Sequence, residues 1–466
     1  MKYWGIILFI WLNSCVAQQQ KIEQLDNADV ADVADVADVA KSYLLYDLAE
    51  NKLIDSYNIA NNLIPASLFK LVTAYAALEI LGAEHQFKTN ILYQGELKEG
   101  ILDGDIIIQG LGDPSLSYQD LFNIAQLIKL NGIKELKGSL LYDDNYFIKA
   151  MQISSDQPAS IYNPGLSALL LKENNFAVEF NESKELFTVP KIDYLNFKIS
   201  NKYKLATYSN SGKWQLNRRR HFLPIRDTSR FFAEILAQNL KNQQISVNKI
   251  AVAQNLTNIK HLFSYEGSSF LEVIRDNLQY SENIVSEILL LHIAKKLECQ
   301  VVNLADATNC LKRWYQGKFP QLSWQDLNWH NGSGLSSSTK ISAAHLLEIL
   351  KALSEKKYKN NFGASLLAVS GAEGTLLTKF REYPLSIWGK TGTMYYVSAV
   401  AGYLYDAKRK YAFIIMLNEP DARKKIDNLQ HNNGKYYEYR QEIQKAKKWK
   451  EEAQKYQEYL IKTWLD

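Results

Sequence analysis

Residues 65–70 read Pro65-Ala66-Ser67-Leu68-Phe69-Lys70, and the apolar stretch behind them decides how the chain is read. Residues 68–81 carry Leu68, Leu71, Val72, Ala76, Leu78 and Ile80 at spacings that suit a largely buried helix, with Gly82 as a fitting stop. Ser67 therefore stands at the start of a core helix. Positions i and i+3 share a helical face, so Lys70 lies beneath Ser67. A serine hydroxyl is a poor nucleophile until a nearby base takes its proton. A desolvated lysine, or one beside another cation, loses its own proton more readily and can serve as that base. The first helical turn leaves backbone N–H groups free, so the Ser67 N–H is a candidate donor to a developing oxyanion.

Two further motifs complete a set: Ser281-Glu282-Asn283 and Lys390-Thr391-Gly392-Thr393. Each alone is weak. Ser-x-x-Lys recurs at Ser337/Lys340 and Ser354/Lys357, and Ser-x-Asn at Ser56/Asn58 and Ser246/Asn248. Context gives them weight. Ser281 and Asn283 precede a helical stretch at 284–297 and so project from a helix start or loop, Ser281 as a proton relay and Asn283 as a clamp for a substrate amide. Lys390-Thr391-Gly392 follows the apolar run 385–388, which puts it on a strand edge. Gly392 allows close backbone approach. The Lys390 cation suits a carboxylate-ended substrate and depresses the pKa of a neighbouring lysine. The Thr391 or Thr393 hydroxyl can hold that carboxylate, and the Thr393 N–H is a candidate second oxyanion donor.

Outward from these motifs, the chain divides by texture. Residues 43–46 and 53–57 read as two strands around a turn at 47–51. From about 88 to 252 short β-like runs, such as 101–111 and 138–142, alternate with turns. One helix is predicted there, at 118–130, and the basic Arg218-Arg219-Arg220 cluster reads as a solvated face. Helical periodicity returns at 268–278, 283–297 and 343–353. Residues 397–405 and 411–417 read as an antiparallel hairpin. The end, 442–464, carries Ile443, Ala446, Trp449, Ala453, Tyr456 and Leu460 at helical spacing, which suits packing on a sheet.

The start has the form of an export signal. Met1-Lys2 leads an apolar run at 3–12, a length that suits a signal peptide and is too short for an ordinary membrane span. Cleavage after Ala17 and lipidation at Cys15, within Leu12-Asn13-Ser14-Cys15, are both open, beside the plainer reading of a buried strand. The Ala-Asp-Val repeats within 18–41 fit neither strand nor helix period and read as a linker.

Composition excludes less than it permits. The 466 residues suggest two or three domains, and 47% hydrophobic with 22% charged residues is an ordinary globular balance. A net charge of +4 argues against a dedicated nucleic-acid binder. Of three cysteines, Cys299 and Cys310 either pair or stay as buried thiols. No Cys/His cluster has metal-site spacing, and His330 and His345 read as structural.

The ordered trio resembles the active-site serine penicillin-binding proteins and β-lactamases. Ser281 follows Ser67 by 214 residues, and a long insertion there resembles the class C low-molecular-weight penicillin-binding proteins, the D-alanyl-D-alanine carboxypeptidase/endopeptidase (S13-like) family. Gly104-Asp105, Gly112-Asp113-Pro114-Ser115-Leu116, Asn331-Gly332-Ser333-Gly334-Leu335-Ser336 and the segment 371–376 look like other parts of that family. The resemblance implies an α/β (α+β) transpeptidase-like domain from residues 42–90 and 255–466, an antiparallel sheet flanked by helices, with a β-rich insertion at 91–254. It implies acylation and hydrolysis of peptidoglycan stem peptides at Ser67, with Lys70, Ser281, Asn283 and Lys390 catalytic and Thr391, Gly392 and Thr393 on the substrate. It also implies β-lactams as covalent inhibitors and no cofactor or metal, while either processing of the leader implies a periplasmic location, with membrane contact through a lipid anchor only if Cys15 is the residue processed. Asp143 matches an aspartate implicated in binding a diamino-acid side chain, and reads equally as a turn acid. Departures from the pattern are Asn331 for an acid, and Ser337 and Lys379 where arginines are common. A β-lactamase and a non-catalytic wall-binding protein are the alternatives.

Overall fold

Turn chemistry sets the first hairpin. Strand Ala40–Asp47 pairs antiparallel with strand Lys52–Tyr57, placing Tyr43 opposite Tyr57. The buried Asp47 carboxylate accepts from the N–H groups of Ala49 and Glu50, both at 2.9 Å, and so closes the turn. The computed structural model describes residues 39–180, 186–192, 194–195, 197–200, 205–208, 213–215, 220–406, 409–430 and 436–466. The expected leader, Cys15, the linker up to residue 38, and Arg218 and Arg219 lie outside the described residues. The hairpin ends a six-stranded sheet that runs Ala368–Val369, Ile387–Met394, Val397–Tyr405, Lys410–Asn418, Ala40–Asp47, Lys52–Tyr57.

Helix Phe69–Ile80 is buried from Phe69 to Leu78. A helix apolar nearly all round belongs in a core. Tyr315, on helix Leu304–Lys318, donates its hydroxyl to the Val72 carbonyl at 2.6 Å and packs in an aromatic cluster with Tyr75, Phe319 and Trp324. Cys310, on the same helix, is joined to Cys299 by a disulfide with its Cα atoms 6.3 Å apart, so of the two readings of these cysteines the structure shows pairing.

The inserted region builds its own sheet, in the order Ile250–Val252, Leu140–Asp143, Ile101–Gly110, Thr89–Lys98, Lys260–Tyr265. The first three strands are parallel and the remaining pairs antiparallel. Parallel neighbours need a crossover, which helices Tyr118–Leu130 and Thr228–Asn242 supply. The second helix departs from the single one predicted. Its apolar face is Phe231, Phe232, Ile235, Leu236 and Leu240, and Asp227 caps it. The strand Arg220–Pro224 runs almost directly into this helix, which blurs the change of period. The inner helix faces and Ile106, Ile108 and Leu140 share one core. The sheet takes in Thr89 and Tyr265, beyond both ends of residues 91–254.

Among the described residues, 39–41, 395–398, 417–430 and 436–466 form a separate unit. In it, Ile426 of helix Pro420–Gln430 and Ala446 of helix Tyr436–Leu465 pack around Tyr396, with Ile443 and Trp449 alongside. The Tyr396 hydroxyl donates to Glu442 Oε1 at 2.6 Å, and Gln457 donates to Ser398 Oγ at 3.1 Å. Among the described residues no helix is long and apolar enough to cross a membrane.

Candidate active site

Ser67 sits in a 3-10 turn, Ala66–Leu68, that feeds directly into helix Phe69–Ile80. Ala66 holds φ at 46°, in the left-handed region that disfavours a side chain and costs about 1–3 kcal/mol. The site's other walls fix this turn. A Cβ on Gly392 would lie 2.3 Å from the Pro65 carbonyl oxygen and 3.2 Å from the Ser67 nitrogen, and one on Gly334 would lie 2.1 Å from the Ala66 oxygen. What approaches Gly392 so closely is thus the chain's own Pro65–Leu68 turn.

Lys70 is fully buried. Its Nζ lies 2.9 Å from Ser67 Oγ, 2.6 Å from Asn283 Oδ1 and 3.1 Å from the Ser333 carbonyl oxygen. Burial drives its pKa down to about 7, against the opposing pull of the Glu287 and Glu282 carboxylates.

Ser281 ends helix Phe270–Tyr280 in a left-handed conformation, φ 68° and ψ 44°, and helix Asn283–Lys296 begins two residues later. This break turns both polar side chains of the motif toward the strand Ile387–Met394 and helix Phe69–Ile80. Lys390 Nζ donates to Ser281 Oγ and to the Thr391 carbonyl, both at 2.9 Å. Lys390 is fully buried, and burial first, then the charges of Lys70 and Lys379, hold its pKa well below the ordinary lysine value. The repulsion between the two lysines therefore falls on Lys390, whereas at Lys70 burial is the cause. Thr391 is buried and Thr393 exposed.

The structure thus brings Ser67, Lys70, Ser281, Asn283, Lys390 and Gly392 together across 213 residues of sequence between Lys70 and Asn283. Asp143 hydrogen-bonds elsewhere, accepting from Gln109 at 3.1 Å and from Asn145 at 2.9 Å. Other contributors carry no local signature. Asn283 Nδ2 donates to the Tyr162 carbonyl at 2.8 Å, and Asp156 Oδ2 accepts from Ser336 Oγ at 2.7 Å and the Ser337 N–H at 3.1 Å. A loop of the inserted region therefore meets two motif segments at once. Glu287, on the Asn283–Lys296 helix, accepts from the Gly332 and Ser333 N–H groups at 2.7 and 2.9 Å. His345 is held by Ser342 Oγ at 2.7 Å and the Ser323 carbonyl at 3.1 Å, away from this cluster. Among the described residues no group of His, Cys, Asp and Glu is arranged to hold a metal ion.

An activated serine beside a dry lysine pair is the equipment of a hydrolase that works through the serine oxygen. Residues 26–433 match the D-Ala-D-Ala carboxypeptidase 3 (S13) family, and the chain belongs to that family of serine hydrolases. It is 22% identical over 408 residues to the D-alanyl-D-alanine carboxypeptidase DacB of Haemophilus influenzae, covering 81% of this chain and 85% of that one. In fold it is similar to penicillin-binding protein 4 (dacB) from the same organism, with TM-score 0.69, 20% identity, and coverage of 84% and 93%. A second crystal structure of that protein, complexed with a β-lactam, gives 0.65, 19% identity and the same coverage. A predatory peptidoglycan endopeptidase of Bdellovibrio bacteriovorus gives 0.51 at 14% identity, covering 84% of this chain and 91% of that one.

Proposed function

We propose that the chain hydrolyses the D-Ala-D-Ala end of peptidoglycan stem peptides through an acyl-enzyme on Ser67. The observation that carries this is the 2.9 Å contact between Ser67 Oγ and a fully buried Lys70 whose pKa is brought to about 7. Near neutral pH about half of such amines are unprotonated and able to accept the serine proton. Ser67 Oγ then bonds to the penultimate D-Ala carbonyl carbon. The N–H groups of Ser67 and Thr393 receive the oxyanion. Collapse of that intermediate breaks the peptide bond, and Ser281, held by Lys390, relays a proton to the leaving amine of the terminal D-Ala. Water then attacks the ester and frees Ser67. Attack on a D-Ala–diamino-acid cross-link by the same steps gives endopeptidase activity, a property named for the Bdellovibrio neighbour. The terminal carboxylate is assigned to Thr391 and Thr393, and a diamino-acid ammonium to Asp143. The apolar run at 3–12 supports export to the periplasm, with Cys15 as the candidate lipid anchor. Penicillin binds covalently at Ser67 on this reading.

The test is release of D-Ala from a pentapeptide-bearing muropeptide by wild type and by Ser67→Ala. Release by the wild type alone supports the reading. Equal release by both, or none from folded wild type, rejects it.

A further inference from the structure

Lys70 can act as a base only if its lone pair, rather than an N–H, faces Ser67. A neutral amine has two N–H bonds and one lone pair. Two of the three acceptors around Nζ, Asn283 Oδ1 at 2.6 Å and the Ser333 carbonyl at 3.1 Å, can take both hydrogens. The lone pair is then left for the Ser67 hydroxyl at 2.9 Å. The position of the Ser333 carbonyl thus decides which way the base points, and that carbonyl sits on a turn with no regular structure of its own.

The turn is gripped from two helices. Glu287 reaches it with both carboxylate oxygens, Oε2 on the Gly332 N–H and Oε1 on the Ser333 N–H. Thr73, one turn beyond Lys70, donates its hydroxyl to the Gly332 carbonyl at 2.6 Å. Fit is tight. A Cβ on Gly332 would lie 2.7 Å from the Ser286 oxygen and 3.3 Å from Glu287 Oε2. Glu287 has no exposed surface. Burying a carboxylate is expensive unless it is hydrogen-bonded and charge-compensated; burial raises the Glu287 pKa, the Gly332 and Ser333 N–H groups pull it back, and Lys70 adds charge compensation only in its protonated form. A leucine here would leave both buried N–H groups unpaired, and a glutamine would set its NH2 against one of them, so the two acceptor oxygens of a carboxylate are matched to this turn.

We infer that Glu287 is a positioning residue for the base: its carboxylate fixes the Gly332-Ser333 turn so that the Ser333 carbonyl holds one N–H of Lys70 and the amine lone pair points at Ser67. The inference rests on Lys70 being the base proposed above. The charged groups acting on Lys70 are Glu287 from helix Asn283–Lys296 and Glu282 just before it, both favouring the ammonium form, and Lys390 from the strand, where the lysine–lysine repulsion is felt. Removing the Glu287 charge removes the larger of the two attractions that raise the Lys70 pKa.

The test is the rate of acylation by a fluorescent penicillin across pH, measured on wild type, Glu287→Gln and Glu287→Asp of matched thermal stability. For wild type we expect acylation to fall as pH drops through about 7, where Lys70 takes up a proton. For Glu287→Gln, we expect the high-pH plateau to fall about tenfold or more and the acidic limb to move to lower pH by roughly one unit. Glu287→Asp keeps the charge but draws the carboxylate back, so its limb stays and its plateau falls. A merely structural role would lower the amount of folded enzyme and leave the limb of the remainder in place. Folded Glu287→Gln with the wild-type profile overturns the inference. Should Glu287→Gln not fold, Glu287→Asp decides, and an unchanged plateau overturns it. Absence of any wild-type adduct would instead defeat the functional reading.

Discussion

Gly392 shows how a single residue's chemistry is visible in sequence while its reason is not. The Lys-Thr-Gly string marks the place, and a small residue beside a substrate is a sensible expectation. The structure gives a nearer cause, because the Pro65 carbonyl occupies the space a side chain would need. Gly392→Ala must push the turn that carries Ser67 away, and overpacking of this kind costs about 1–3 kcal/mol. We expect acylation of Gly392→Ala to slow by at least about tenfold with a modest drop in Tm. Wild-type acylation with unchanged Tm would show that the turn yields freely. The residues of the three motifs were legible because each motif is a short string that stands out locally in the sequence: Ser67 to Lys70 at a helix start, Ser281 and Asn283 either side of a break between two helices, and Lys390 to Thr393 on one strand. Glu287, Asp156 and the Tyr162 carbonyl were not, because their partners lie across the fold and no short spacing announces them.

Elements were read best where one period runs unbroken. Helix Tyr118–Leu130 has the bounds predicted for it, and its Ser117/Asp120 capping box is a sequence signal in its own right. The strands at 397–405 and 410–418 follow their apolar runs. Helix Thr228–Asn242 was lost because a strand ends only a few residues before it. The loop around 150–165 is the element whose role has no sequence trace, since it reaches the site through one carboxylate and one carbonyl. Asp156 bonds Ser336 and Ser337, and Asn283 bonds the Tyr162 carbonyl six residues further on. Cutting the Asp156 contacts leaves the Ser336 hydroxyl and Ser337 N–H to find other partners, an effect of about 1–3 kcal/mol. For Asp156→Ala we expect faster amide hydrogen exchange through residues 150–165 and a raised KM for muropeptide. Unchanged exchange there would mean that the loop is held by other contacts.

At the scale of the molecule, the long insertion was legible from one distance, the gap between Ser67 and Ser281, together with the change of texture inside it. Its mixed parallel sheet was not, because strand direction depends on crossovers that no single stretch encodes. The Cys299–Cys310 bond, with a sequence separation of 11, closes a short loop beside the buried face of helix Leu304–Lys318. Loop-closure entropy of this size contributes about 2–3 kcal/mol. Cys310→Ser is therefore expected to lower Tm measurably while leaving the pH profile of acylation in place, and an unchanged Tm under oxidising conditions would show that the bond adds nothing. On the proposed reading Ser67 is the acylated nucleophile, and the decisive experiment incubates the protein and Ser67→Ala with a fluorescent penicillin and reads intact mass. One penicillin adduct is expected on wild type and none on the variant. Folded wild type with no adduct, or a variant that carries one, would contradict that reading.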